Sequence, residues 1–408
     1  MPAFADAFGN ALTLENEASL QPVQDFIEGF AASEARVVRV LEVADQDASP
    51  IVQALCAALH MFAEAPEAPA QARRFMQRAL SSAIRPSPRE ASLVGAIGAW
   101  VSGDIDQAIA RHEAHAQNHP RDLAALKLGQ YHLFNRGDAE GMRRMMAHTR
   151  GSADDLAYWH GMQAFALEQN HELDAALDAA HRAMALKRKE PWAHHAIAHV
   201  MLTRQLNGQG LAFMQGVSDT WTGLNSFMVS HNWWHLALFH IELGELDQAL
   251  AIHDTQVWAH EKAYSQDQIN AISLLSRLEL AGADVGDRWL ALAPYLASRT
   301  ADHVLPFLDV QYLYGLARAG RREADVLLDN IEHHARRQSG QQRAVWLDIA
   351  LPTAMGLLAH ARGDWKTAAQ ALDSAWPRMQ GIGGSHAQRD WFARVAAHAH
   401  RHLNRAAR

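Results

Sequence analysis

Two short segments hold the residues whose types and spacing could do chemistry. PWAHHAIAHV, from Pro191, places His195 and His199 four apart, and HNWWHLALFH places His231 and His235 four apart. Residues i and i+4 share one side of an α-helix, so each pair projects two imidazoles close enough together to chelate a single ion. Two such pairs on adjacent parallel helices could supply up to four imidazoles. That set suits zinc, manganese or iron, and equally nickel or copper. Trp192, Trp233 and Trp234 bracket the pairs. An isolated H-x-x-x-H pair is commonly an accident of packing, but two pairs on consecutive helices with indoles beside them favour a metal or ligand site. His160 and His194 stand one place away from this register and are expected to pack within their own repeats. His333, His334, His398, His400 and His402 are expected on outer or terminal surfaces.

What must position these residues is an array of helices. Apolar residues recur at helical spacing throughout, with no sustained strand alternation. The segments AQARRF (from Ala70), DIDQAI (Asp104), DAEGMR (Asp138), ELDAAL (Glu172) and LNGQGL (Leu206) begin 34 residues apart. Later copies begin at Glu245, Asp284, Arg321 and Asp364, with spacings of 39, 39, 37 and 43. A 34-residue period belongs to the tetratricopeptide repeat, two antiparallel helices per unit. Small residues fall where the helices must approach: Ala96, Ala164, Ala198 and Ala237 in first helices, and Ala108, Ala176, Gly210 and Ala249 in second helices. Arg74 and Met142 break that pattern. Pro86 and Pro120 close two of the units.

The expected fold is therefore all-α, a right-handed α-solenoid of tetratricopeptide-like helix pairs with capping helices at both ends. Residues 1–60 are read as the N-terminal helical cap, 61–380 as about eight to nine helix pairs, and 381–408 as the C-terminal capping helix. First helices line the concave face of such a solenoid, which gives the histidine pairs a common groove. The same register adds Lys127 and Asp309 as groove residues, acid, base or carboxylate ligand, with His303 reaching in from a loop. Asp267 and Asn270 begin another first helix, where N-capping accounts for them. In GIGGSHAQRDWF, Ser385 and Gln388 form a capping box rather than a phosphate loop, while Arg389 and Asp390 are candidates for substrate contact.

Composition narrows the function classes. The 408 residues carry 37 Lys+Arg against 45 Asp+Glu, a formal net charge of −8, without a basic patch for a nucleic-acid backbone. One cysteine, Cys56, forms neither an internal disulfide nor a thiolate zinc site, which fits a reducing, cytoplasmic setting. The start, MPAFADAFGN, lacks the basic and apolar regions of a secretory signal. The absence of a run of about 18 apolar residues argues against a membrane span.

Several motifs together resemble the tetratricopeptide repeat protein 38 family. They are DLAALK, WAHHAIAHV, HNWWHLALFHIELGELDQAL, GDRW, DHVLPFLD, DIALP and GGSHAQRDWF, between about Asp122 and Phe392. The resemblance implies the repeat fold and a shared histidine-rich groove holding the counterparts of His195, His199, His231, His235, His303, Asp309, Arg389 and Asp390. The family pattern has Asp where this chain has Asn270, and residues 1–90 lie outside the similarity.

Two functions are compatible with these features. One is a metal-dependent enzyme with His195, His199, His231 and His235 as ligands, and Asp309, Lys127 and His303 as catalytic groups. Trp192, Trp234, Arg389 and Asp390 would then hold a small, planar organic substrate for oxidation or hydrolysis. The other is a scaffold binding a partner peptide in the groove. A two-carboxylate clamp is disfavoured, because its places hold Leu93, Lys127, Gly161, His195 and Trp234, only one of them basic.

Overall fold

The computed structural model describes residues 4–406; the outermost residues of both expected caps, 1–3 and 407–408, lie outside the described residues. Among the described residues the fold is all-helical, with 75% in helix and 21 α-helices, and it is compatible with an α-solenoid. The sheet consists of two two-residue strands, Phe4–Ala5 paired antiparallel with Ala11–Leu12. The chain divides into two compact units. The first holds the chain up to Phe134, Asp138–Val200 and Gly216–Met228; the second holds Asn135–Gly137, Met201–Gln215 and Val229–Arg408.

The repeat shows in the backbone. A left-handed residue ends the first helix of successive pairs at positions 103, 137, 171 and 205, each 34 after the last. Glycine fills two of these places, where positive φ costs it nothing, and His171 and Gln205 fill the others. Asp104 and Asp138 then cap the second helices, accepting from the amides of Gln107 and Gly141 at 2.9 and 2.7 Å. The small residues named above are buried at every place from Ala96 onward, Gly210 included. Arg74 is exposed and Ala72 is buried in its stead, a shift of register in the earliest pair. Met142 is buried at its small-residue place, and on the same helix Met145 packs against Gly129, where a Cβ would come within 2.6 Å of it.

The two helices of a pair differ in burial. Second helices bury one stripe, as in Leu173–Leu186, where Ala176, Ala180 and Ala183 face inward. First helices are covered on all sides: nearly every residue of Ala157–Gln169, of the 191–200 segment and of Phe307–Leu316 is buried. Part of that cover is the chain's own ends. In the first unit the N-terminal segment runs across four successive first helices. Arg89 donates to the Ala11 carbonyl, Lys127 to those of Phe30 and Ala31, and Trp192 to Ser33 Oγ, while Tyr158 donates to Glu28. In the second unit the C-terminal helix His386–Ala406 lies on the helix Ser265–Leu280, with Trp391 Nε1 donating to Ser276 Oγ at 2.8 Å. Side chains of residues 4–60 thus join the core of the first unit, and those of 386–406 the core of the second.

One helix has the length and composition of a membrane span. Gly340–Ala361 is 22 residues long and holds an 18-residue stretch of mean hydropathy 1.4, enough by length and composition to cross a bilayer, and half of that stretch is buried within the protein. Asp348 and Pro352 interrupt its apolar run, which is why counting consecutive apolar residues passed over it. A core helix of a folded unit meets the same criteria.

Two substitutions test the repeat. A Cβ at Gly210 would come within 2.3 Å of the Phe239 ring, so Gly210→Ala should destabilise by about 1–3 kcal/mol. Gln205, exposed and left-handed, should gain up to about 1 kcal/mol as Gln205→Gly. Thermal unfolding of both variants reads the opposite signs; equal shifts would mean that the pairing is described in the wrong register.

Candidate metal centre

The helix Pro191–Thr203 starts on a proline preorganised for helical φ, and the buried Glu190 carboxylate caps the amide of Ala193. Burial pushes the Glu190 carboxyl up, against the pull of its own backbone bonds and of Lys127. One turn apart on this helix, the rings of His195 and His199 have centroids 4.3 Å apart. Phe165 and Trp192 stand 5.2 and 5.3 Å from His195. The Glu168 carboxylate, on the preceding first helix, lies 3.0 Å from His199 Nδ1.

The helix Ser226–Glu242 repeats the arrangement. His231 and His235 have ring centroids 4.8 Å apart. Trp234 stacks on His231 at 5.2 Å with the planes 8° apart, and its indole N–H donates to Ser273 Oγ at 2.9 Å. His231 Nδ1 lies 2.9 Å from Asn270 Oδ1. Between the two histidines Asn232 is buried, with no hydrogen-bond partner for either amide atom among the described residues, the condition of a group that takes a water or a ligand.

These two pairs come together. Ligand nitrogens of His195, His199, His231 and His235 all lie within 4.8 Å of one another, and the four residues are 2, 1, 2 and 0% exposed. Zinc–imidazole bonds of about 2.0–2.1 Å set tetrahedral nitrogens about 3.4 Å apart, inside the 4.8 Å span found here, so the rings would draw together on binding. The group could hold a metal ion. Imidazole nitrogens suit borderline transition metals and not the oxygen-seeking calcium or magnesium.

The remaining expected residues have other surroundings. Lys127 donates to the carbonyls of Phe30 and Ala31 and to Ser33 Oγ, at 2.5, 3.1 and 2.9 Å, with the Trp192 ring 4.8 Å away. These are the bonds of an ammonium closing the C-terminal end of the helix Leu20–Ala32, a structural task rather than that of an acid or base. His303 and Asp309 find each other, Nδ1 to Oδ2 at 2.6 Å, with His303 held at φ +48° and His334 and Trp346 beside it. Asp390 pairs with Arg277 at 3.0 Å, and the Arg277 guanidinium lies over the Trp234 ring at 5.6 Å. Arg389 donates to the Gly384 carbonyl within its own loop, and Ser385 and Gln388 exchange both bonds of the expected capping box.

Other histidines divide as follows. His160 and His194 each place Nε2 2.9 Å from the carbonyl six residues back, the packing role expected of them. His334 and His398, expected in solvent, are instead half-buried: His334 against Trp346, and His398 between Trp365 and His360. Asp267 and Asn270 stand inside their helix rather than at its N-cap position. The residue before their helix is Tyr264, without a side-chain cap, and both side chains turn to the second histidine helix. Glu168 was not singled out by sequence, since only folding sets it beside a histidine 31 residues later. No known family model matches the chain.

Asp309 yields a prediction in pH. Burial pushes its carboxyl up to about 6, with His303 pulling it back down. The folded value exceeds the unfolded one near 4, so its contribution to stability is full below about pH 4 and is lost as pH rises through 6. Asp309→Asn should therefore match wild type near pH 4 and exceed it at pH 8, by on the order of 2 kcal/mol. Melting temperatures at the two pH values decide it; a variant less stable than wild type at pH 8 would show the His303–Asp309 ion pair to outweigh desolvation.

Proposed function

We propose that His195, His199, His231 and His235 hold one divalent transition metal, zinc, manganese or iron, and that the chain is a metal-dependent enzyme acting on a small, planar organic molecule. The observation that carries this reading is the mutual approach of four buried imidazoles on two helices. Protonated imidazoles sharing one buried place repel one another, and a cation bound by their neutral forms replaces that repulsion with four ligand bonds.

A metal bound here supplies Lewis acidity, activating water for hydrolysis or dioxygen for oxidation. The chain's own residues supply the setting. Phe165, Trp192 and Trp234 give aromatic faces beside the imidazoles for a flat apolar molecule. Asn232 offers one acceptor and two donors for its polar edge. Burial excludes bulk water, which strengthens each polar contact the substrate makes. Asp390 bears on this centre through Arg277 and Trp234, a supporting part rather than direct substrate contact.

The peptide-scaffold alternative is less well supported, because in the first unit the first helices are covered by the chain's own N-terminal segment. The proposal extends to architecture: helix pairs wound as a right-handed tetratricopeptide-like solenoid, in a relative of the tetratricopeptide repeat protein 38 family. The 34-residue recurrence of the left-handed turn supports it. The buried Cys56 thiol, pushed up to about 12 by desolvation, is chemically quiet and consistent with a cytoplasmic setting.

Elemental analysis of protein purified without a polyhistidine tag should find about one transition metal per chain, reduced to background in His199→Ala and His235→Ala. Added zinc, manganese or iron should raise the melting temperature of metal-stripped protein, worth about 2.7 kcal/mol at a hundredfold excess over Kd. Wild-type protein that neither retains a metal nor responds to these ions would refute the reading. A turnover screen of the reconstituted protein on aromatic esters, amides and phenols, with dioxygen uptake followed in parallel, tests the catalytic part.

A further inference from the structure

We propose that Asp267, Ser230 and Asn270 form a directional hydrogen-bond chain that fixes His231 as a ligand through Nε2; the inference rests on the metal reading above. All three residues, like His231 itself, are buried. The direction follows from counting protons. Both Asp267 oxygens act as acceptors: Oδ2 takes the backbone amide of Glu261 at 3.1 Å, and Oδ1 takes the hydroxyl of Ser230 at 3.1 Å. With its one proton committed, Ser230 Oγ has only lone pairs left, and it accepts from Asn270 Nδ2 at 3.1 Å. That bond fixes which way the amide faces. Asn270 Oδ1 is turned to His231 Nδ1 at 2.9 Å, and a carbonyl oxygen has no proton to give. His231 must therefore carry its proton on Nδ1, and the lone pair of the neutral ring is on Nε2.

The opposite amide orientation fails at two places. Asn270 Nδ2 would then donate to Nδ1 and leave the proton on Nε2, while Oδ1 would claim the Ser230 hydroxyl and take it from Asp267. One helix, Ser265–Leu280, thus sets both the tautomer and the plane of His231, since Ser273 on it holds the Trp234 ring that stacks on the imidazole. The other pair has a simpler device, the Glu168 carboxylate directly against His199 Nδ1. Two histidines of the centre therefore have a carboxylate behind them, one in contact and one relayed through an amide and a hydroxyl. Partners of this kind orient a ligating histidine and raise its basicity, and losing one weakens metal binding about 10–100-fold.

Asp267, Ser230 and Asn270 are positioning residues, so the test reads the metal rather than the fold alone. Zinc and cobalt affinities are measured by competition with a chromophoric chelator, the cobalt d–d bands are recorded, and the metal-stripped melting temperature serves as control. Asp267→Asn, Ser230→Ala and Asn270→Ala should each weaken binding at least tenfold and move the cobalt bands, although none of the three residues is a ligand. Asn270→Asp, which keeps an acceptor facing Nδ1, should return to within about threefold of wild type. If Asp267→Asn melts early without metal, the comparison of Asn270→Ala with Asn270→Asp decides. Affinity and bands unchanged in Asn270→Ala while wild type binds tightly would overturn the chain and leave the four-histidine centre standing. Wild type that binds neither ion would overturn the centre itself, and this inference with it.

Discussion

The constraint on which the rest depends is the burial of the first helix of each pair. A helix covered on one side can turn its polar residues to water, whereas one covered on all sides must find a partner for each of them inside the protein. Sequences such as WAHHAIAHV and HNWWHLALFH are therefore informative. A histidine or tryptophan on a wholly buried helix calls for a partner inside the protein, and naming that partner gives the residue its role. For His194 the partners are a carbonyl and the Trp221 indole; for Trp234 the partner is Ser273. For His195, His199, His231 and His235 the common neighbour is one another.

The ends of the chain follow from the same constraint. Polar groups on the inner helices of the first unit are served by backbone carbonyls of the N-terminal segment, which arrive as a helix end at Lys127 and as an extended stretch at Arg89. Arg89 also pairs with Asp122, itself in contact with His115, so a buried cluster of charge holds the segment in place. In the second unit the C-terminal helix brings Asp390 to the buried Arg277. Buried pairs of this sort fix where a segment lies more than they add to stability, because desolvation consumes most of their attraction.

How much of this was legible in the sequence differs by level. The period was readable because it has a local cause: a left-handed turn followed by a capping side chain recurs with the repeat, and alanine or glycine marks each close approach. Arg74 misled by two residues because, beside Ala72, either register offers a plausible helix face. The histidine pairs are readable because i, i+4 spacing is a property of one helix, whereas their convergence depends on which helices lie side by side. The residues behind them could not be read. Asn270 and Asp267 sit where a capping explanation is locally sufficient, and their contacts with His231 and Ser230 cross 39 and 37 positions. Glu168 was one acidic residue among 45. Lys127 was read by register as facing the centre, while its bonds lie with a helix almost a hundred residues earlier, which no periodicity reveals.

Charge balance links the ligands to what stands behind them. A dication held by four neutral imidazoles would leave two positive charges in a region closed to water, at a cost that imidazole donation alone does not offset. Two buried carboxylates lie close behind the imidazoles: Glu168 against His199, and Asp267 three hydrogen bonds from His231. Together with a dication they sum to neutrality. Ligands and carboxylates thus make sense as one set, in which the anions are placed one layer out so that the inner layer stays neutral and polarisable, as a borderline metal prefers.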